Sequence, residues 1–170
     1  QGINLSEDYQ KKFHKRLSVE EVEEGNTLSP KFDENGLIPC VTTDSKTNEV
    51  LMIGYMNAEA LVKTIESGEA FYFSRSRQTV WHKGQTSGLT QKVKEIRIDD
   101  DQDSIWLTVD VGGSGASCHV GYKSCFYRSI PSESQINLDL ELKWEEKEKV
   151  FDPIEVYGDT PNPVSYTHLT

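Results

Sequence analysis

Between residues 37 and 111 the chain breaks into apolar segments of four to eight residues, and that brevity limits the folds open to it. Residues 37–43, 50–56, 70–74, 79–82, 91–98 and 105–111 carry many β-branched and aromatic side chains, with turn-forming residues between them. Runs of this length and texture read as strands. One stretch has helical spacing instead. Asn57 suits an N-cap, Leu61 and Ile65 share a face over 58–67, and Gly68 suits a C-terminal stop. A short strand is expected over 125–130. Ile136, Leu138, Leu140, Leu142 and Trp144 alternate with polar residues, which predicts a half-buried strand there. Residues 6–24 suit a helix, with Phe13, Leu17 and Val22 as an imperfect stripe. The class expected is α+β, mainly antiparallel β-sheet with one or two helices.

A chain of 170 residues favours one compact domain. Its texture divides it into a polar, partly helical N-terminal extension (1–35), a main domain (36–150) and a C-terminal tail (151–170). The last residues, 164–170, follow no pattern of the preceding fold and are expected to be disordered or non-native. Apolar residues make up only 35% of the chain, so either its ends are polar or its core is completed by oligomerisation. A net charge of −10 argues against a nucleic-acid partner, which would need a basic face. Three cysteines with no secretory segment do not suggest a disulfide framework. The longest apolar run, 50–56, is too short to cross a bilayer, so no membrane role is expected and the cytoplasm is the expected compartment.

Within this acidic chain, residues 70–94 hold five Lys or Arg and no Asp or Glu. Arg75 and Arg77 flank Ser76 and share one side of an extended segment. Lys83, Thr86 and Ser87 follow, set between Gly84 and Gly88. Guanidinium forks and glycine-flanked amides suit phosphate oxygens, although a solvated polar face has the same composition. The spacing is not that of a Walker A loop.

Asp99, Asp101 and Asp103 alternate, so an extended segment would put their carboxylates on one side and Asp100 on the other. Three carboxylates together suit a hard divalent cation, and they equally suit a solvated acidic turn. An EF-hand is excluded because Ser104 stands where its glycine belongs. Cys118 and Cys125 are separated by six residues, with His119 beside the first. Thiolates and imidazole are preferred zinc ligands, but this is not a zinc-knuckle spacing, and a buried structural pair is the alternative. Cys40 reads as core. Trp81, Trp106, Phe126 and Tyr127 read as core or dimer contacts, and His82 as a surface residue.

Taken in order, several segments strongly resemble phosphoribosyl-AMP cyclohydrolases. They are Gly36-Leu37-Ile38-Pro39, Val50-Leu51-Met52, Tyr55-Met56-Asn57-Ala58-Glu59-Ala60-Leu61 and Ser74-Arg75-Ser76-Arg77. Trp81-His82-Lys83-Gly84-Gln85-Thr86-Ser87-Gly88, the acidic run, Cys118-His119-Val120-Gly121 and Ser124-Cys125-Phe126-Tyr127 complete the set. The resemblance implies an intertwined homodimer of mainly β-structure, with zinc (Zn2+) bound between subunits. It implies Cys118 and Cys125 as zinc ligands, and magnesium (Mg2+) on Asp99, Asp101 and Asp103. The family's usual acidic motif is Asp-Cys-Asp-x-Asp, whose cysteine is the third zinc ligand. Here Asp100 stands at that position, so Asp100, His119 or another residue is left to complete the shell.

The reaction implied is attack of zinc-activated water on adenine C6 of 1-(5-phosphoribosyl)-AMP, with cleavage of the N1–C6 bond. This is a step of histidine biosynthesis. His119 is the candidate acid–base group. Arg75, Ser76, Arg77, Lys83, Thr86 and Ser87 are the candidates for holding the phosphates. Two other readings remain open: a zinc hydrolase of another purine or amidine, and a non-catalytic metal-stabilised nucleotide-binding domain. The stretch after Ile130 is too short for a second catalytic domain, so a single activity is expected.

Overall fold

Two hairpins of opposite chain position make the main sheet. The computed structural model describes residues 5–13, 15, 17–113, 115–118, 120–132, 135–146 and 148–149. Strands β1 (Ile38–Asp44) and β2 (Val50–Met56) pair antiparallel, as do β5 (Gln91–Ile98) and β6 (Ile105–Val111). The hairpins join through β1 and β6, which run parallel, giving the order β2-β1-β6-β5. That parallel seam was not foreseen from the alternation, which reports the face of a strand but not the direction of its neighbour. Between the hairpins in sequence lie helix α3 (Ala58–Ser67) and a second hairpin sheet of β3 (Phe71–Ser74) and β4 (Thr79–His82).

Helix α3 begins and ends as its sequence dictates. The Asn57 side chain accepts the Ala60 N–H, and Gly68 takes the left-handed conformation with its N–H on the Thr64 carbonyl. Ala60, Leu61, Val62 and Thr64 face inward, whereas Ile65 is 48% exposed. The core gathers Ile38, Cys40, Leu51, Met52, Met56, Leu61, Tyr72, Leu107 and Val109. Each such aliphatic side chain contributes about 1.5–3 kcal/mol when fully buried.

The expected helix over 6–24 is two helices, α1 (Leu5–Phe13) and α2 (Val19–Glu24). Ser18 starts the second with a reciprocal cap: its side chain accepts the Glu21 N–H, and Glu21 accepts the Ser18 N–H. Phe13 of α1 is buried in the core beside Phe32. Further along, Gln102 fastens this N-terminal segment to the sheet. Its amide donates to the carbonyls of Val22 and Thr27 and accepts the Ser29 N–H, and its own carbonyl accepts the Lys31 N–H.

The strand expected over 136–144 does not form. Only Lys143–Trp144 (β8) is extended and paired, against Arg128–Ser129 (β7), the remnant of the strand expected at 125–130. The Asn137 side chain accepts the Asp139 N–H and turns the chain, so the alternating apolar residues find no ladder. Ile136 and Leu138 stand almost fully exposed. Trp106 and Phe126 are also exposed in the single chain, while Cys40 is buried as expected. No helix among the described residues is long and apolar enough to cross a membrane. The residues set apart as the tail, 151–170, lie outside the described ones.

Candidate active site

The two cysteines meet because their loop is tied down at both ends. Cys125 N–H donates to the Leu51 carbonyl at 2.7 Å and the Ser124 hydroxyl donates to the Val50 carbonyl at 2.7 Å, so one end rides on the start of β2. Lys123 reaches Glu49 at 2.6 Å and Asp44 at 3.6 Å, which clamps the loop to the β1–β2 turn. The Glu146 carboxylate accepts the N–H groups of Lys123 and Ser124. At the other end Cys118 N–H donates to the Tyr122 carbonyl, and Gly121 N–H returns to the Cys118 carbonyl.

Held this way, the Cys118 and Cys125 thiols lie in hydrogen-bond contact. That hydrogen bond stabilises an anion on Cys118 and brings its ionisation down to about 7, aided by two backbone amides and by the Lys83 ammonium. The Cys125 thiol, as donor, is pushed far up, and burial adds to the shift. One proton therefore leaves the pair readily and the second does not. Cys40 is pushed up to about 12 by burial and is inert. In metal-free protein an ultraviolet thiolate titration is expected to show one thiol ionising near pH 7, with Cys40 silent. A first ionisation at the ordinary thiol value of about 8.5 would contradict this arrangement.

Lys83 sits with this pair and not on the arginine turn. It is 3% exposed, and its ammonium donates to the Ser117 carbonyl at 2.9 Å. Burial lowers its pKa, partly offset by the two thiols. Arg75, Ser76 and Arg77 form the β3–β4 turn, where the Ser74 hydroxyl accepts the Arg77 N–H. The Arg75 guanidinium lies 4.1 Å from the centre of the Tyr55 ring, which preorganises it. Thr86 and Ser87 are in the turn after β4. Gly84 there is irreplaceable: its φ is +87°, and an added Cβ would stand 2.2 Å from the Thr90 nitrogen. His82 pairs with Glu69 at 2.7 Å. His119 lies outside the described residues.

The acidic run forms the β5–β6 turn. Asp99, Asp101 and Asp103 each bring a carboxylate oxygen within 4.8 Å of the others. Asp99 also caps the turn, accepting the N–H groups of Asp103 and Ser104. A hard cation fits such an oxygen set. Asp100 is exposed and accepts the Asp101 N–H. Among the described residues no other group of three His, Cys, Asp or Glu side chains comes together.

The acidic turn and the cysteine pair are apart within the chain. Cys40 of β1 lies beside Ile105, next to the turn, and Thr43 lies beside Val50, next to the cysteine loop. That separation is about 10 Å along β1, and β6 and β2 flank β1 about 10 Å from one another. The thiol pair thus offers a soft metal two ligands, and among the described residues Asp100 does not join them.

Two features gave no sequence signal as site residues. A cleft of about 630 Å³ opens beside the acidic turn, with Asp101, Asp33, Lys15 and Lys31 in its lining. The two lysines lie in the charged N-terminal stretch, where composition distinguishes none of them. Gln102, inside the acidic run, holds the turn against that stretch.

The phosphoribosyl-AMP cyclohydrolase family profile matches residues 52–127. Phosphoribosyl-AMP cyclohydrolase of Rhodopseudomonas palustris (strain BisA53) is 56% identical over 138 residues, covering 81% of this chain and 92% of the relative. The protein of the same name from Bradyrhizobium diazoefficiens is 50% identical over 137 residues, covering 81% and 94%. That from Nitrobacter winogradskyi is 47% identical over 140 residues, covering 82% and 94%.

Proposed function

The chain belongs to the phosphoribosyl-AMP cyclohydrolase family, and from that premise we propose that it hydrolyses the N1–C6 bond of 1-(5-phosphoribosyl)-AMP at a metal centre built on Cys118 and Cys125. The observation that carries the site is the contact between the two thiols, whose hydrogen bond favours an anion on Cys118. Zinc, when bound, would supply Lewis-acid activation of water near neutral pH. Ring opening adds one water: its oxygen becomes the carboxamide oxygen, and N1 leaves as part of the formimino group. The product is the formimino aminoimidazole carboxamide ribonucleotide, an intermediate of histidine biosynthesis.

The remaining tasks fall to the chain's own groups. The ring nitrogen needs a proton as the N1–C6 bond breaks, and His119, next in sequence to Cys118, is our candidate to carry it. Arg75 and Arg77, with Ser76, Thr86 and Ser87, would hold the substrate's phosphates, and Arg75 is already oriented by Tyr55. Asp99, Asp101 and Asp103 would hold magnesium.

A homodimer completes this reading. Among the described residues no third His, Cys, Asp or Glu joins the cysteine pair, and Asp100 lies exposed on a separate turn, where a second copy could use it. Ile136, Leu138 and Phe126 expose apolar surface that a partner would cover. We place the enzyme in the cytoplasm. The test is turnover of phosphoribosyl-AMP by zinc-loaded protein, followed by product absorbance, before and after chelation. The expected result is ring opening that chelation abolishes and zinc restores. Zinc-replete protein that leaves phosphoribosyl-AMP intact would refute the assignment.

A further inference from the structure

A line of polar side chains crosses the apolar core and ends at the cysteine loop. Thr42, Tyr72, Gln91 and Ser117 are each 0% exposed. The Tyr72 hydroxyl donates to Gln91 Oε1 at 2.6 Å and lies 2.7 Å from Thr42 Oγ1. A phenol has one proton and the Gln91 oxygen can only accept, so the direction of both bonds is fixed: Thr42 donates to Tyr72, and Tyr72 to Gln91. The Cys40 thiol, 3.9 Å from Thr42 Oγ1, is the first group in the line. At the far end the Gln91 amide donates to Ser117 Oγ and to Met52 Sδ, each at 3.4 Å.

Ser117 is the residue before Cys118, and three of its atoms are held. Gln91 donates to its hydroxyl, Lys83 donates to its carbonyl at 2.9 Å, and its own N–H donates to the Lys123 carbonyl at 2.9 Å. Two of these partners are expensive ones. A buried amide and a buried ammonium each cost free energy that an apolar core would not incur. Lys83 has no carboxylate partner among the described residues, and the ionisable groups that favour its charge are the two cysteine side chains. Polar groups kept in a core at such cost mark a place where geometry matters more than stability.

We propose that Tyr72, Gln91 and Lys83 are positioning residues for ring opening: they bracket Ser117 and so hold Cys118 against Cys125 in a geometry ready for metal. The proposal rests on the reading of Cys118 and Cys125 as metal ligands. It adds that the shell behind those ligands is built from the core of the sheet, through residues that touch neither metal nor substrate. Outer groups of this kind commonly set metal affinity and activity by about 10- to 100-fold.

The test compares zinc affinity by chelator competition, the thiolate-to-cobalt charge-transfer band of the cobalt form, kcat, KM and thermal midpoint in wild type, Gln91→Met and Lys83→Met. Expected are zinc affinity and kcat lower by about 10- to 100-fold, a shifted cobalt band and an unchanged KM. Variants that lose thermal stability but keep wild-type zinc affinity, cobalt band and kcat overturn the proposal, because their role is then structural alone. If Gln91→Met or Lys83→Met does not fold, Tyr72→Phe decides by the same readouts, since it removes only one hydroxyl. Wild-type protein whose cobalt form lacks the thiolate band would remove the cysteine-site reading itself, an outcome distinct from failure of the bracket.

Discussion

Cys125→Ser is expected to abolish ring opening and to empty the metal site while the fold persists. The substitution exchanges a soft sulfur for a hydroxyl, which is a poor zinc ligand at neutral pH. It leaves in place the backbone bonds that fix the loop, from Cys125 N–H to Leu51 and from the Ser124 hydroxyl to Val50. With the activating metal gone, turnover should fall on the order of 1,000-fold or more, equivalent to roughly 4 kcal/mol of barrier. Zinc content by elemental analysis, turnover of phosphoribosyl-AMP and the urea midpoint measure the three consequences. Cys40→Ala is the comparison: it removes a buried thiol on β1 and should keep its zinc. A Cys125→Ser enzyme with full zinc and full turnover would mean that the cysteine pair is structural.

The second large effect is expected at Asp100. If a second copy supplies the third ligand, Asp100→Ala lowers zinc content and turnover by more than the about 10- to 100-fold typical of outer groups. Asp100→Cys, which restores the soft ligand usual in the family, should tighten zinc. Mixing separates a shared site from a self-contained one. A dimer of one Cys125→Ser chain and one Asp100→Ala chain holds one complete shell, made from the cysteine pair of the second and the Asp100 of the first. Co-expressed chains should therefore recover activity that neither variant has alone. Unchanged zinc in Asp100→Ala, or no recovery on mixing, would assign the third position to another residue.

Local chemistry explains what could be read in advance. Strand β2 and helix α3 were legible because an apolar run, an Asn cap and a left-handed Gly state their own limits. The 136–144 segment misled because alternation describes a face and says nothing of a pairing partner, while Asn137 turns the chain within it. The acidic triad was legible from its spacing, and the structure brings Asp99, Asp101 and Asp103 together. Lys83 shares a basic stretch with the arginines, and sequence alone groups it with them. Its burial beside Cys118 depends on a loop 34 residues away and could not be seen locally. Tyr72 and Gln91 gave no signal either: an aromatic and a polar residue in strands look ordinary until their side chains are found to meet.

Gln102 has a consequence for the order in which this protein assembles. Its amide bonds span 73 to 80 residues of sequence, so they close one of the longest loops in the chain. During synthesis residues 22–29 emerge early and lack these bonds until the β5–β6 turn follows them. Long-range closure of this kind is entropically slow beside the local formation of either hairpin. The turn that carries Asp99, Asp101 and Asp103 can therefore fold with its hairpin, held by the bonds from the Asp103 and Ser104 N–H groups to Asp99, and the N-terminal segment docks on it afterwards.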